Sequence, residues 1–329
     1  MKKVRVIEDS FGRTFPYLRL SVTDVCNFRC TYCLPNGYQK THDGTFMTVP
    51  EIRRLVQAFA GMGTWKVRLT GGEPTVRPDF CDIAQTVSQV AGVRKLAFTT
   101  NGYKLPERAR EYYASGLRSI NISIDSLNSS RFQEITGHAR LDEILAGIDA
   151  VFDVGFENVK INTLLLKGLN DDEIDGFLGF IKGRPLSLRF IELMQTRDNL
   201  EYFRQHHMSA TTVHEKLSAG GWRIMPRPDG AGPAVEYAHP DYQGTIGIIA
   251  PYAKDFCATC NRLRISARGQ LHLCLFGEQG YDLRHLLQRD DQIEELQQTV
   301  QNLMARKKAT HFLHDGNPGM RQNLSSTGG

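Results

Sequence analysis

Three cysteines near the amino terminus carry the clearest chemical signal in this sequence. Cys26, Cys30 and Cys33 form a CxxxCxxC run, and Tyr32 lies between the second and third of them. A four-iron cluster normally has four thiolate ligands, one for each iron. Three thiolates leave one iron open to a small molecule, so the spacing predicts a cluster that takes part in chemistry.

A second group of three cysteines lies towards the carboxyl end. Cys257 and Cys260 form a CxxC pair, and Cys274 follows 14 positions later. A zinc ribbon pairs two CxxC units, and Cys274 has no cysteine near it to complete the second unit. We therefore favour a second three-cysteine cluster, and a Cys3His zinc site completed by His272 is the alternative.

Zinc and disulfides are also alternatives for the first group. A closed zinc site would need a fourth ligand, for which His42 is the nearest candidate. The seven cysteines are an odd number and the chain begins without the features of a signal peptide, so we expect free thiols in the cytoplasm. Cys81 lies in a helix-like stretch and is expected to be a small buried side chain.

A run of two glycines, an acid and a proline follows the second apolar stretch of the chain, at Gly71 to Pro74. Paired glycines allow a backbone to approach a ligand closely, and the carboxylate of Glu73 could bind an ammonium group. A plain turn between a strand and a helix is the alternative interpretation. The cysteine run upstream favours ligand binding.

The elements that must position these residues alternate along the chain. Six apolar, β-rich runs are separated by stretches of helical character: 17–22, 65–70, 93–100, 118–124, 157–165 and 186–193. Thr48 and Glu51 around Pro50 form a capping box at the start of one helix. Six βα units before residue 195 predict an α/β fold, a partial (β/α)6 TIM-like barrel, with a doubly wound sheet as the alternative.

The rhythm changes beyond residue 195. A helix near 211–219 is followed by three short β-like runs, at 222–226, 234–238 and 244–250. A charged helix is expected near the end of the chain, between Asp290 and Lys308. We expect a partial barrel over residues 1–200 and an α+β extension over 201–329 that carries the second cluster.

Polar residues follow each apolar run, where ligands collect in parallel α/β folds. We expect one shared rim for the first cysteines and for segments that begin at Gly71, Thr99, Ser123, Asn162 and Glu192. Five cations should converge on the same mouth: Arg19, Arg68, Lys160, Arg262 and Arg264. Guanidinium groups suit phosphate oxygens, although a single arginine on a strand is more often part of an ordinary ion pair.

Composition sets wider limits. The chain is 41% hydrophobic and 23% charged with a formal charge of +4, and it has no apolar run long enough to span a membrane. The charge is too small to indicate nucleic-acid binding. We expect neither a membrane nor a nucleic-acid partner, and a non-catalytic iron–sulfur or zinc protein that binds nucleic acid remains an alternative.

The two cysteine groups, Gly71 to Pro74 and the segment Cys257 to Arg264 together resemble the GTP 3′,8-cyclase family of the radical S-adenosylmethionine (SAM) superfamily. The resemblance extends over nearly the whole chain, including Gly328 and Gly329. It implies two [4Fe-4S] clusters, with SAM on the open iron of the first and the guanine of GTP on the second. It also implies that the two clusters face each other across the barrel mouth.

The resemblance implies a role for particular residues. SAM would be contacted by Tyr32, Gly72, Glu73, Ser123 and Met194. GTP would be contacted by Arg19, Arg68, Thr99, Lys160, Arg262, Leu263 and Arg264. The terminal Gly328 and Gly329 would reach back and help to organise the active site.

A reaction and partners are implied as well. A 5′-deoxyadenosyl radical from SAM would remove hydrogen from C3′ of GTP, and attack on C8 would give (8S)-3′,8-cyclo-7,8-dihydroguanosine 5′-triphosphate. This is the first step of molybdenum cofactor biosynthesis. A flavodoxin- or ferredoxin-like reductant would supply electrons, and cyclic pyranopterin monophosphate synthase would receive the product. A homodimer is left open, and a radical SAM enzyme acting on a peptide is the alternative.

Overall fold

The computed structural model describes residues 6–40, 44–277 and 280–319. The strands within these ranges are Tyr17–Ser21 (β1), Lys66–Thr70 (β2), Lys95–Thr100 (β3), Ser119–Ser123 (β4), Asn158–Leu165 (β5), Ser187–Glu192 (β6), Arg223–Ile224 (β7), Val235–Ala238 (β8), Thr245–Ile249 (β9), Arg262–Ile265 (β10), Gln270–His272 (β11) and Tyr281–Asp282 (β12). The α-helices are Val49–Gly61 (α1), Phe80–Ser88 (α2), Leu105–Ala114 (α3), Ser129–Thr136 (α4), Leu141–Val154 (α5), Ile174–Ile181 (α6), Leu200–His206 (α7), Thr211–Ala219 (α8) and Ile293–Met304 (α9).

All of these strands belong to one sheet, in the order β12-β11-β10-β1-β2-β3-β4-β5-β6-β9-β8-β7. Strands β1 to β6 follow one another as parallel neighbours. Helices lie between successive strands, as βαβ units require. The predicted partial barrel of six βα units is confirmed, and each of its strands ends within two residues of the predicted run.

Helix α1 shows why local sequence placed the elements so well. The backbone N–H of Thr48 donates to Glu51 Oε2 at 2.7 Å, and the N–H of Glu51 donates to Thr48 Oγ1 at 3.4 Å. Pro50 stands in the first turn, where its missing N–H costs nothing. The predicted capping box is confirmed.

The carboxyl-terminal region continues the same sheet on both sides. Strand β10 pairs in parallel with β1, and β9 pairs in parallel with β6. The pairs β10–β11, β11–β12, β7–β8 and β8–β9 are antiparallel. The predicted boundary near residue 200 stays a prediction. The charged helix is shorter than expected, because a 3-10 turn at Asp290–Gln292 precedes α9.

The two faces of the sheet differ sharply. One face packs on the helices; for example, Phe98 of β3 lies 5.7 Å from Phe80 and 5.4 Å from Tyr112, measured between ring centroids. The alternate side chains form the opposite face, called the inner face below. Its basic side chains are Arg19, Lys66, Arg68, Lys95, Lys160, Arg189, Arg262 and Arg264. Because side chains alternate along a strand, these residues share one side.

Across the described part of the chain, no helix has the length and apolar character that a membrane crossing needs.

Candidate functional site

The first cysteine loop follows β1 and is fastened through its backbone. The N–H of Arg29 donates to Thr136 O at 3.2 Å, and the N–H of Thr31 donates to Ile135 O at 2.9 Å. Phe28 is buried and stacks on His138 with ring centroids 4.5 Å apart. The free thiols of the loop are partly exposed: Cys26, Cys30 and Cys33. The end of α4 thus holds a loop with three available thiols.

The surroundings of these thiols suit a positively charged partner. Burial raises the pKa of Cys33 to about 12, with the neighbouring Cys26 and Asp125 adding to it. Burial and the charge of Glu73 also raise the pKa of Cys26 to about 12. Iron binds thiolates, so a bound cluster must supply the charge that stabilises them. Among the described residues, no three His, Cys, Asp or Glu side chains are arranged to hold a single metal ion.

The paired glycines approach the chain itself. The N–H of Gly72 donates to Thr23 O at 3.0 Å, and the N–H of Glu73 donates to Val25 O at 2.8 Å. A Cβ on Gly72 would lie 2.4 Å from Val25 O. Glycine is therefore required here to bring this segment against the residues that precede Cys26.

Glu73 is engaged by four donors from its own chain. It is 1% exposed, and its Oε1 accepts from Thr75 N at 3.1 Å, Thr75 Oγ1 at 2.6 Å and Thr100 Oγ1 at 2.8 Å. Its Oε2 accepts from Asn101 N at 2.6 Å. Burial raises the pKa of Glu73 although these bonds oppose the shift. The carboxylate fixes the glycine segment to the end of β3, and its direct contact with an ammonium group stays a prediction.

Tyr32 is oriented by Asp125, which belongs to the predicted rim segment that begins at Ser123 but was given no role of its own. Its hydroxyl donates to Asp125 Oδ2 at 2.8 Å, and the N–H of Leu164 donates to Asp125 Oδ1 at 2.8 Å. Burial raises the pKa of Asp125 to about 6. Three predicted rim segments therefore meet at Asp125: the cysteine loop after β1, the segment after β4 and the end of β5.

The segment after β6 is also fixed. Asn199 Nδ2 donates to Met194 O at 3.0 Å, and His207 Nε2 lies 2.8 Å from Glu192 Oε1. His206 Nδ1 lies 2.9 Å from Lys167 O. Both histidines of this pair therefore have structural partners within the chain.

The basic side chains of the inner face stand in rows. Arg264, Arg19 and Arg68 are register partners on β10, β1 and β2. Arg68 Nε donates to Tyr17 Oη at 2.7 Å, and its Nη1 lies 3.3 Å from Thr99 Oγ1. These predicted residues are brought together.

Three further cations on the inner face were missed. They are Lys66, Lys95 and Arg189. Each has apolar residues next to it in its strand and lies on the same side as the other polar side chains of the inner face, and this alternation could have identified it. Arg189 Nη2 lies 2.6 Å from Glu236 Oε1, and Lys160 Nζ lies 3.7 Å from the same atom.

This face has a strongly positive potential. Burial alone would raise the pKa of Tyr17, but the charges of Arg68, Arg19 and Lys66 outweigh it and lower the pKa to about 6. Burial and then the charge of Arg189 lower the pKa of Lys160 to about 7, against the effect of Glu236. Burial similarly lowers the pKa of Lys66 to about 8. An anionic ligand would relieve this potential.

The second cysteine group lies at the other end of the strands. Cys260 precedes β10, whose Arg262 pairs with Tyr17 at the start of β1, whereas Cys26 follows the end of β1. The expectation that both groups face each other across one mouth is therefore wrong. The reason is that β10 runs parallel to β1, which carries Cys260 to the amino ends of the strands.

The second group has more basic surroundings than the first. Burial alone would raise the pKa of Cys260, but the charges of Lys307, Arg262 and Arg13 lower it. Burial raises the pKa of Cys257. Free thiols with cations close by suit an anionic thiolate–metal centre.

Cys81 was expected to be a small buried side chain, and the structure shows it partly exposed instead. Cys81 lies in α2, where Arg108 Nη2 is 3.8 Å from its sulfur. His42, Gly328 and Gly329 lie outside the described residues, so their predicted roles stay predictions.

The sequence matches known protein families over most of its length. The models of two families match the chain: Radical SAM superfamily over residues 20–181 and Molybdenum Cofactor Synthesis C over residues 186–313. The protein named GTP 3′,8-cyclase from Vibrio parahaemolyticus is 52% identical over 324 residues, which cover 98% of this chain and 97% of the relative. The protein of that name from Cronobacter sakazakii is 52% identical over 326 residues, with coverages of 98% and 99%.

Solved structures give a more distant likeness. The crystal structure of Streptococcus suis SuiB bound to S-adenosylmethionine aligns with a TM-score of 0.60 and 14% identity. The alignment covers 87% of this chain and 68% of that chain. At this identity the likeness shows the fold.

Proposed function

Because the chain belongs to the GTP 3′,8-cyclase family of the radical SAM superfamily, we propose that GTP binds on the inner face between two iron–sulfur clusters. The protein is a radical SAM enzyme of molybdenum cofactor biosynthesis that acts on GTP, with SAM and an iron–sulfur cluster as cofactors. The second cluster and the residue roles are the proposal. It rests on one observation: a basic face joins two three-cysteine groups at opposite strand ends.

The length of the strands supports this arrangement. A five-residue strand such as β1 spans roughly 16 Å, which leaves room for a nucleotide between the two ends. The guanine would lie at the second group, close to Arg262, Leu263 and Arg264. The ribose would then face the first group.

The triphosphate would lie on the inner-face cations of the sheet. Arg19 and Arg68 belong to one row, Lys160 shares Glu236 with Arg189, and Thr99 offers a hydroxyl beside Arg68. Guanidinium and ammonium groups bind phosphate through charge-assisted hydrogen bonds. Phosphate oxygens would favour the charged form of Lys160, whose pKa burial lowers in the free protein.

SAM would lie at the carboxyl rim, beside Tyr32, Ser123 and Met194. Gly72 and Glu73 shape this rim through their bonds to the chain. When bound, the first cluster and SAM supply an organic radical that removes hydrogen from the substrate. The protein positions the reacting groups and excludes water from them.

The cellular context is also part of the proposal. Seven free cysteines suit a reducing cytoplasm. A flavodoxin- or ferredoxin-like protein would supply electrons, and cyclic pyranopterin monophosphate synthase would take up the product. The terminal Gly328 and Gly329 would help to organise the substrate.

Anaerobic reconstitution tests the proposal. We expect about eight irons per chain, as two four-iron clusters require, and formation of 5′-deoxyadenosine and a cyclised nucleotide from SAM, dithionite and GTP. Replacing Cys257, Cys260 and Cys274 together by serine should halve the iron, retain reductive SAM cleavage and abolish the cyclised product. Cys81→Ser is the matched control. Wild-type protein with about four irons and bound zinc would contradict the second cluster.

A further inference from the structure

A tight turn near the amino terminus ends in an arginine that is fully hydrogen-bonded. Asp9 Oδ1 accepts from the N–H groups of Phe11 and Arg13, both at 3.0 Å. Asp9 Oδ2 lies 2.7 Å from both Nε and Nη2 of Arg13. The side chains of Asp9 and Arg13 are 0% and 10% exposed. The turn therefore fixes the direction in which the guanidinium points.

The remaining donors of this guanidinium reach two distant segments. Nη1 donates to Cys257 O at 2.9 Å and to Ala309 O at 2.8 Å, and Nη2 donates to Lys308 O at 2.8 Å. A guanidinium has five N–H donors. Two reach Asp9 and three reach these carbonyls, so Arg13 uses its whole donor set.

The two segments that Arg13 joins carry the second cysteine group and the approach to the carboxyl terminus. Thr310 Oγ1 lies 3.8 Å from the sulfur of Cys257. His311 is buried, with its ring centroid 5.7 Å from that of Phe256 and 5.3 Å from that of Phe276. Thr310 and His311 therefore pack against the loop that carries the second cysteine group.

We propose that Arg13 is a positioning residue for the second cluster: it fixes the backbone of Cys257 against residues 308–309. This inference rests on the proposed function, because it assumes that Cys257 is a cluster ligand. A lysine could keep the charge, but its single ammonium group could not bond Asp9 and three carbonyls in the same fork geometry. The planar guanidinium is therefore the feature that matters.

Arg13→Lys in the full-length reconstituted protein tests the inference, with Arg289→Lys as the matched control. Arg289 is 71% exposed and pairs with Asp291. We expect Arg13→Lys to lose most of the iron of the second cluster, so that about four of about eight irons remain. Its electron paramagnetic resonance spectrum should lose the second-cluster signal and keep the SAM-dependent change of the first. Amide exchange should accelerate at least tenfold near residues 257 and 309.

Unchanged iron content, spectrum and exchange in Arg13→Lys would overturn the inference. If this variant does not fold, Asp9→Asn is the second test, because it keeps the shape of the turn and removes the carboxylate charge. It should lose iron selectively from the second cluster, to a smaller extent than Arg13→Lys. Wild-type iron content, spectrum and exchange in Asp9→Asn would overturn the inference. If wild-type protein holds zinc at the second group, the second cluster is refuted. In that case, loss of the zinc and faster amide exchange in Arg13→Lys would support the positioning role of Arg13. Unchanged zinc content and exchange would overturn it.

Discussion

Lys160→Met is the sharpest test of the triphosphate site, because the structure ties its effect to pH. Lys160 is largely buried, and burial together with Arg189 lowers its pKa to about 7. The substitution removes the ammonium group and keeps an unbranched apolar side chain. Glu236 keeps its partner Arg189 at 2.6 Å, so no buried carboxylate is left unpaired.

The expected loss of affinity depends on the charge of Lys160. At pH 6.5, below its pKa of about 7, most of the group is charged, and a hydrogen bond to a charged partner contributes about 1.5–3 kcal/mol. The Kd for GTP should therefore rise about 10- to 150-fold. At pH 8.5, protonating Lys160 costs the wild type about 2 kcal/mol, since one pKa unit is about 1.4 kcal/mol. The difference between the two proteins should then fall to about fivefold or less.

The measurement is anaerobic calorimetry with GTP and no SAM, so that no turnover occurs. Comparing two proteins at each pH cancels the ionisation of the γ-phosphate. Lys216→Met is the control, because Lys216 lies on α8 and pairs with Asp175 at the surface. An equal loss of affinity at both pH values would refute the lowered pKa, and no loss at either would refute contact with phosphate.

The same variant has an expected signature in stability. The folded-state pKa of Lys160 is lowered, so the unfolded chain binds more protons between about pH 7 and pH 10. Wild-type stability should therefore gain from this group as pH rises through that window. Lys160→Met should lose this gain, and its Tm at pH 7 should be no lower than that of the wild type. A large fall in Tm at pH 7 would contradict this account.

Two further predictions concern the cofactor rim and the chain terminus. Gly72→Ala places a Cβ 2.4 Å from Val25 O. It should lower the free energy of unfolding, measured in urea, by about 1–3 kcal/mol and reduce iron retention at the first cluster. Gly176→Ala is the control, because no atom lies within 4 Å of the new Cβ. Equal stability of the two variants would show that the backbone can yield at Gly72. Deletion of Gly328 and Gly329 should abolish the cyclised product while iron content and SAM cleavage persist, and full product formation would exclude the proposed role of the tail.

Features that depend on nearby residues were predictable from the sequence. The cysteine spacings, the capping box at Thr48 and the six apolar runs involve contacts over a few positions. Each strand alternates between a helix-packed side and an inner side, so Arg19, Arg68 and Lys160 could be placed on one face. The same alternation would have identified Lys66 and Arg189.

The tertiary structure decided features that depend on distant pairing. Because β10 runs parallel to β1, Cys260 lies at the amino ends of the strands and Cys26 at their carboxyl ends. No local pattern fixes the direction of a strand that joins a sheet more than 200 residues later. Glu73 was predicted from the sequence as a ligand for an ammonium group, and the tertiary structure adds that Thr100 and Asn101 of a separate βα unit donate hydrogen bonds to its oxygens. The sequence alone thus determined which groups can do chemistry. Folding determined which partners surround each of them, because buried hydrogen-bonding groups take the partners that the chain brings within reach.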